Sequence, residues 1–199
     1  RTAEAYDIIK MITDHFPTNS KRLSSIVNLA IQTKHYNDVE KYYGTFLDLD
    51  ERNEDLIKYI CSALVICGKF YLLANLNSKA FDHFKKASIT AAGRINILKK
   101  IVQILIEFKL GKESEEFLNR FPMDSKRDPG FKVLSFMVIN LTKNTAFVIE
   151  YGKKLIAEGI HDFEVYKTLL SRAKQEKLLK YTDSITSAAI SRWPDHRSY

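Results

Sequence analysis

Glycine and proline are scarce in this chain, at 7 and 4 of 199 residues. Antiparallel sandwiches and barrels need many more turns than that supply allows, so the all-β classes are excluded. Cysteine occurs twice, as Cys61 and Cys67, six positions apart on what reads as a single helix. That separation is too wide for a disulfide. With no histidine or further cysteine beside them, the pair does not form a zinc site either. Both are expected to be buried free thiols, which favours a reducing compartment. A cytoplasmic location is therefore the default expectation, with a periplasmic or organellar one as the alternative. No run of like charges exceeds three residues, so there is no polyelectrolyte tail. The sequence opens on Arg1 with no secretory pattern behind it, and it reads as a piece or processed form of a longer protein.

Catalytic signatures are missing as well. There is no glycine-rich phosphate loop, no Gly-x-Ser-x-Gly, no His-Glu-x-x-His and no EF-hand loop. Histidines 15, 35, 83, 161 and 196 are scattered, with no pair at ligand spacing. His35 and His161 fall in turns between helices, where a capping or solvated role is expected. The carboxylate pairs Glu115–Glu116 and Asp48–Asp50 fall at helix ends or on exposed faces, without the apolar surroundings that general acid–base chemistry requires. A non-enzyme without metal or cofactor is expected.

What the chain does have is amphipathic helix, over and over. Hydrophobic residues make up 45% and aromatics 12%, which excludes disorder. Ser20 can cap a helix carrying Leu23, Ile26 and Ala30 on one face. Further helices are expected near 36–50, 54–75, 78–91, 94–110, 112–120, 130–142, 145–158, 162–176 and 178–192. Short links between them imply antiparallel neighbours. Residues 121–130, "FPMDSKRDPG", are the one proline- and charge-rich break, read as a loop or hinge. The most apolar window, 56–76, is interrupted by Lys58 and Lys69 and reads as a buried helix, not a membrane span.

Two stretches carry a repeat. Over 20–53, Leu23, Ile26, Ala30, Tyr36, Val39, Tyr43 and Phe46 recur at helix–turn–helix spacing. Over 61–94, Leu64, Cys67, Gly68 and Tyr71 precede Ala80, Phe84 and Ala87. Small Gly68 and Ala80 would let two helices approach while Tyr71 and Phe84 fill the space beside them. A third register over 163–196 holds Leu169, Leu170, Ala173, Ala189 and Pro194. In these places the sequence resembles the tetratricopeptide repeat family, whose unit is a 34-residue helical hairpin. The stretches 95–126 and 127–160 keep the hairpin rhythm but match the pattern poorly. Ala5, Ile9, Ile12 and Pro17 look like the second half of a repeat. The resemblance implies an all-α, right-handed α–α superhelix of about five antiparallel hairpins in one solenoid over 1–199.

It also implies a concave face lined by the first helix of each hairpin, used to bind a protein or peptide. The family's lining places fall on Lys21, Ser24, Ser25, Asn28, Ile31 and Gln32 in the first unit. In the second they fall on Ser62, Val65, Ile66, Lys69, Leu72 and Leu73, and in the last on Glu164, Lys167, Thr168, Ser171, Lys174 and Gln175. Asn28 matches one place of the family's carboxylate clamp, but Ser24 stands where Lys is expected, so such a clamp is not implied. Val65, Ile66, Leu72 and Leu73 either receive an apolar partner or are covered by the chain's own helices, and the second reading is favoured because that helix is apolar nearly all round. The implied role is a scaffold that assembles a complex. Charge bears on the partner: residues 1–60 hold 8 Lys+Arg against 10 Asp+Glu, whereas the remainder holds 23 against 14. That excess suits an acidic protein surface or, as the alternative, RNA, since 159–177 also looks like the start of a pentatricopeptide repeat. Lys167 then stands where that family mostly uses small polar or amide side chains. The first helix is expected to expose Ala5, Ile8, Ile9 and Ile12 and to self-associate through them.

Overall fold

Eleven α-helices and one 3-10 helix make up the described residues of this computed structural model, 2–49, 54–92 and 94–194, with no strand among them. Asp50 and His196 lie outside the described residues. The helices are α1 (Thr2–His15), α2 (Ser20–Gln32), α3 (Tyr36–Leu47), α4 (Glu54–Leu73), α5 (Asn77–Thr90), α6 (Ile95–Glu107), α7 (Gly111–Leu118), α8 (Pro129–Thr142), α9 (Thr145–Ala157), α10 (Phe163–Gln175) and α11 (Leu179–Arg192). Their starts are written in side chains. Asn19, Asp128, Asn144 and Asp162 each accept a backbone N–H from the first turn of α2, α8, α9 and α10, at 2.9–3.0 Å. Each satisfies a donor that the helix itself leaves without a partner.

The stops follow a second rule. Lys34, Asn75, Lys109 and Lys177 all adopt left-handed backbone, with φ of 63°, 59°, 57° and 56°. After each, the next residue's N–H reaches back five residues: His35 to Ala30, Leu76 to Tyr71, Leu110 to Leu105 and Leu178 to Ala173, at 2.7–2.9 Å. This helix-ending geometry lets the chain reverse within three residues. Asn75, Lys109 and Lys177 lie 34 and 68 residues apart, so the period holds through the stretch where residue identities match the family poorly. From Lys34 to Asn75 the step is 41, and the seven extra residues are the first two turns of α4, 54–60.

The chain divides into two compact units, 1–101 and 102–199, with the boundary inside α6. In the first, α4 is the central helix, packed between α2 and α5. By length and composition it could cross a membrane, yet Leu56, Ile60, Cys61, Leu64, Cys67 and Tyr71 are buried in the core. Its contact with α5 is tight because Gly68 lacks a side chain: a Cβ there would lie 2.3 Å from Cε1 of the buried Phe84 ring. Val39, Tyr43 and Phe46 of α3 are buried too, and the Tyr43 hydroxyl lies 3.2 Å from the Thr90 hydroxyl. Both cysteines are free and buried. Burial pushes the Cys61 thiol up to about 11 and the Cys67 thiol up to about 12, which keeps both protonated.

α1 turns Tyr6 and Thr13 inward. The Tyr6 hydroxyl donates to Asp38, Lys10 pairs with the same carboxylate at 3.0 Å, and the Tyr6 ring stacks on His35 at 4.3 Å. Ile8, Met11, Ile12 and Phe16 are left exposed on the other side, while Ala5 and Ile9 are half-buried.

In the second unit, Phe136, Val148, Leu155, Val165, Tyr166, Leu169 and Ala189 centre the core of α8–α11. Here a glycine of α9 admits a side chain of α10: a Cβ on Gly152 would lie 2.6 Å from Leu169. The break at 121–130 is built rather than open. Met123–Arg127 form the 3-10 helix, Ser125 is buried, and Phe121 meets Phe131 edge-on at 5.1 Å.

Candidate functional site

The 34-residue period places equivalent residues of α6, α8 and α10 on one face. Gln103, Met137 and Ser171 are 34 apart in turn, as are Ile106, Asn140 and Lys174, and Val133 and Lys167. Two cavities open on this face, both within residues 102–199. One, of about 710 Å³, is lined by Gln103, Ile106, Glu107, Gly130, Val133, Leu134, Met137, Asp162 and Glu164. The other, of about 330 Å³, is lined by Asn140, Glu164, Lys167, Thr168, Ser171, Arg172 and Gln175. Glu164 belongs to both, so they form one groove with an apolar stretch and a polar stretch.

Local contacts fix the polar stretch. The Arg172 Nε donates to Asn140 Oδ1 at 2.8 Å and its terminal nitrogen donates to the Asn140 carbonyl at 2.6 Å. This planar fork holds Asn140 in place and leaves its amide N–H groups as donors. The Thr168 hydroxyl lies 3.9 Å from Met137 Sδ, tying α10 to α8 at the groove floor. Lys167 pairs loosely with Glu164, one turn away, at 3.5 Å. The charge is uneven along the groove: Glu107 and Asp162 border the apolar cavity, Lys167 and Arg172 border the polar one, and Glu164 lies in both. An apolar floor between opposite charges, with amide and hydroxyl groups at hand, can hold a segment of polypeptide. Among the described residues no three His, Cys, Asp or Glu side chains gather closely enough to hold a metal ion.

The residues that the sequence singled out are distributed unevenly over this geometry. Lys167 and Ser171 line the groove, with Glu164, Thr168 and Gln175, whereas Lys174 is exposed on α10 but outside the cavity lining. Lys21, Asn28 and Gln32 are exposed along α2 and Ser24 is half-buried, its hydroxyl turned back to the Ser20 carbonyl. On α4, Val65 and Leu72 do not face a partner: they are 4% and 3% exposed, because α4 has neighbours on both sides. Ile66 and Leu73 are exposed and Lys69 is half-buried. Asn140, Met137, Val133, Ile106 and Gln103 went unnoticed in the sequence. The family's lining places, carried by the bare period into 95–128 and 129–162, fall on them.

No family model and no curated protein sequence matches this chain. Solved structures do. BtubC (BKLC) from P. vanneervenii superposes with a TM-score of 0.58 at 9% identity, over 100% of this chain and 90% of that one. YrrB, a TPR protein with an unusual peptide-binding site, gives 0.55 at 12% identity over 94% and 93%. A tetratricopeptide repeat protein from Parabacteroides merdae gives 0.51 at 11% identity over 96% of this chain and 72% of that one. The fold is therefore the tetratricopeptide-like α–α solenoid.

Proposed function

We propose that this protein is a non-catalytic interaction scaffold whose α6–α8–α10 groove holds a segment of a partner protein and helps assemble a complex. The observation that carries the reading is the continuity of the two cavities along three helices related by one repeat period. The partner segment has an apolar side chain seated on Val133, Met137 and Ile106. It presents acidic groups or carbonyls to Lys167 and Arg172, and its basic end lies toward Glu107 and Asp162. The fold it shares with YrrB, a TPR protein with a peptide-binding site, supports a peptide as ligand class.

The test is capture from native lysate on the immobilised full chain, at low and moderate salt, with protein and nucleic acid both read in the eluate. A protein retained at moderate salt should be lost from Val133→Lys and from Ser171→Arg, with helical circular dichroism preserved. Retention by both variants would overturn the groove as the binding surface. Recovery of RNA alone, falling steeply with salt, would replace the scaffold reading with nucleic-acid binding.

A further inference from the structure

Elsewhere in the second unit, a cavity of about 820 Å³ is lined by Ile156, His161, Tyr166, Ala188, Ser191, Arg192 and Trp193. It shares no residue with the groove. Its polar lining is made of donors: the Arg192 guanidinium, the Ser191 hydroxyl and the Tyr166 hydroxyl, with no carboxylate among the lining residues. Arg192 donates to His161 Nε2 at 3.1 Å, which leaves the hydrogen on Nδ1, and Nδ1 then donates to the Tyr166 oxygen at 3.0 Å. That chain pins the guanidinium over the cavity with its other N–H groups unused, and no salt bridge engages it among the described residues. The apolar wall is equally fixed. Trp193 meets Tyr166 edge-on at 5.3 Å and Phe163 at 5.8 Å, a geometry that sets the indole plane.

We propose that this cavity binds a small organic acid: a carboxylate on a flat apolar body. The carboxylate lies against the Arg192 fork and the Ser191 hydroxyl, and the body lies between the Trp193 indole, Ile156 and Ala188. A planar carboxylate matches the guanidinium edge in a way that a neutral amide does not. Because Arg192 and Trp193 are already held, little side-chain entropy is lost on binding. The site is open to solvent, so the affinity is modest, with a Kd on the order of 1 mM.

Trp193 is the chain's one tryptophan, so its single indole N–H resonance reports on the cavity without interference. Phenylacetate titrated into the full chain should shift that resonance saturably, whereas phenylacetamide and acetate should bind at least about tenfold more weakly, the loss of one charge-assisted contact or of the apolar body. Arg192→Gln, at an exposed helix end, should weaken phenylacetate about tenfold, and Ala188→Leu should do so by filling the cavity while keeping the charge. Equal binding of the amide, an unchanged Kd in either variant, or no saturable shift would overturn the proposal. Val133→Lys and Ser171→Arg should leave the titration unchanged, so this site and the groove stand or fall separately.

Discussion

Replacing Gly68 by alanine should destabilise the first unit, although alanine is the better helix former. Both terms can be sized. Within a helix the change gains about 1 kcal/mol of intrinsic propensity. Against it, the new Cβ would lie 2.3, 2.7 and 2.8 Å from three carbons of the Phe84 ring, where carbon atoms rest at about 3.5–4.0 Å. Phe84 is fully buried, so its ring cannot swing into solvent and α4 and α5 must part by about 1 Å. Overpacking of this kind costs about 1–3 kcal/mol and can exceed that. With the close contacts on a rigid ring, the upper part of the range applies, and the net loss is about 2 kcal/mol. Gly44, on the exposed side of α3, has nothing within 4 Å of an ideal Cβ, so Gly44→Ala should stabilise by about 0.5–1 kcal/mol. The buried thiols supply a local assay: urea-dependent labelling of Cys61 and Cys67 reads the opening of α4 itself. Gly68→Ala should label at lower urea than wild type and Gly44→Ala at higher. If both variants moved the midpoint upward by the same amount, the close packing of α4 on α5 would be refuted.

Two further outcomes rest on α1. Burial would raise the Asp38 carboxyl, but the Tyr6 hydroxyl and the Lys10 ammonium outweigh it and hold the group below its ordinary value. A depressed carboxyl contributes stability that is complete above its unfolded value, about 3.9, and is lost as the pH falls through the folded value. Asp38→Asn should therefore lower the thermal midpoint at neutral pH, and its gap from wild type should close as the pH falls below about 4. A gap independent of pH would exclude the ionised carboxylate as the cause. The exposed stripe of Ile8, Met11, Ile12 and Phe16 should drive self-association in which two α1 helices pair antiparallel, bringing Asp7 of one near His15 of the other. Sedimentation over a roughly hundredfold concentration range should show a dimer that Ile8→Lys together with Ile12→Lys abolishes; a wild-type monomer throughout would rule it out.

Helix placement was legible in this sequence because apolar periodicity is local. The cap of α2, however, is one residue earlier than expected: Asn19, not Ser20, accepts the first-turn N–H, as Asp128, Asn144 and Asp162 do for α8, α9 and α10. The pair Gly68–Phe84 was legible for a different reason, since the small-against-large contact sits at spacings the tetratricopeptide family also uses. The same logic hid the middle of the chain. In the hairpin of α8 and α9, Phe136 occupies the place held by Gly68, and Gly152 occupies the place held by Phe84, both 68 residues on. The glycine has moved to the second helix of its hairpin, and the side chain it admits is Leu169 of α10 rather than a ring of its own hairpin. A test of residue identity fails there, although the left-handed turns at Lys109 and Lys177 stay two 34-residue steps apart. Val65 and Leu72 are covered as the all-round apolarity of α4 leads one to expect, whereas Ile66 and Leu73 are exposed. All four occupy lining places by register, but the neighbours of α4 cover only the first two.

That difference between backbone and side chains bears on what the groove can recognise. A surface that holds a uniform polyanion along its length carries cationic side chains in each repeat. Here one place holds Gln103, Met137 and Ser171, another holds Ile106, Asn140 and Lys174, and a third holds Val133 and Lys167. The backbone repeats and the chemistry does not. Apolar, amide and cationic groups follow one another along the groove, with Glu107 and Asp162 at one end and Lys167 and Arg172, beside Glu164, at the other. Such a surface discriminates by position along a single ligand: an apolar anchor shifted by one helix would meet Lys167 and Ser171 instead of Val133 and Met137 and would bury polar groups without partners. The arrangement suits one asymmetric partner segment bound in one register, as the proposed scaffold requires, better than a uniform polyanion.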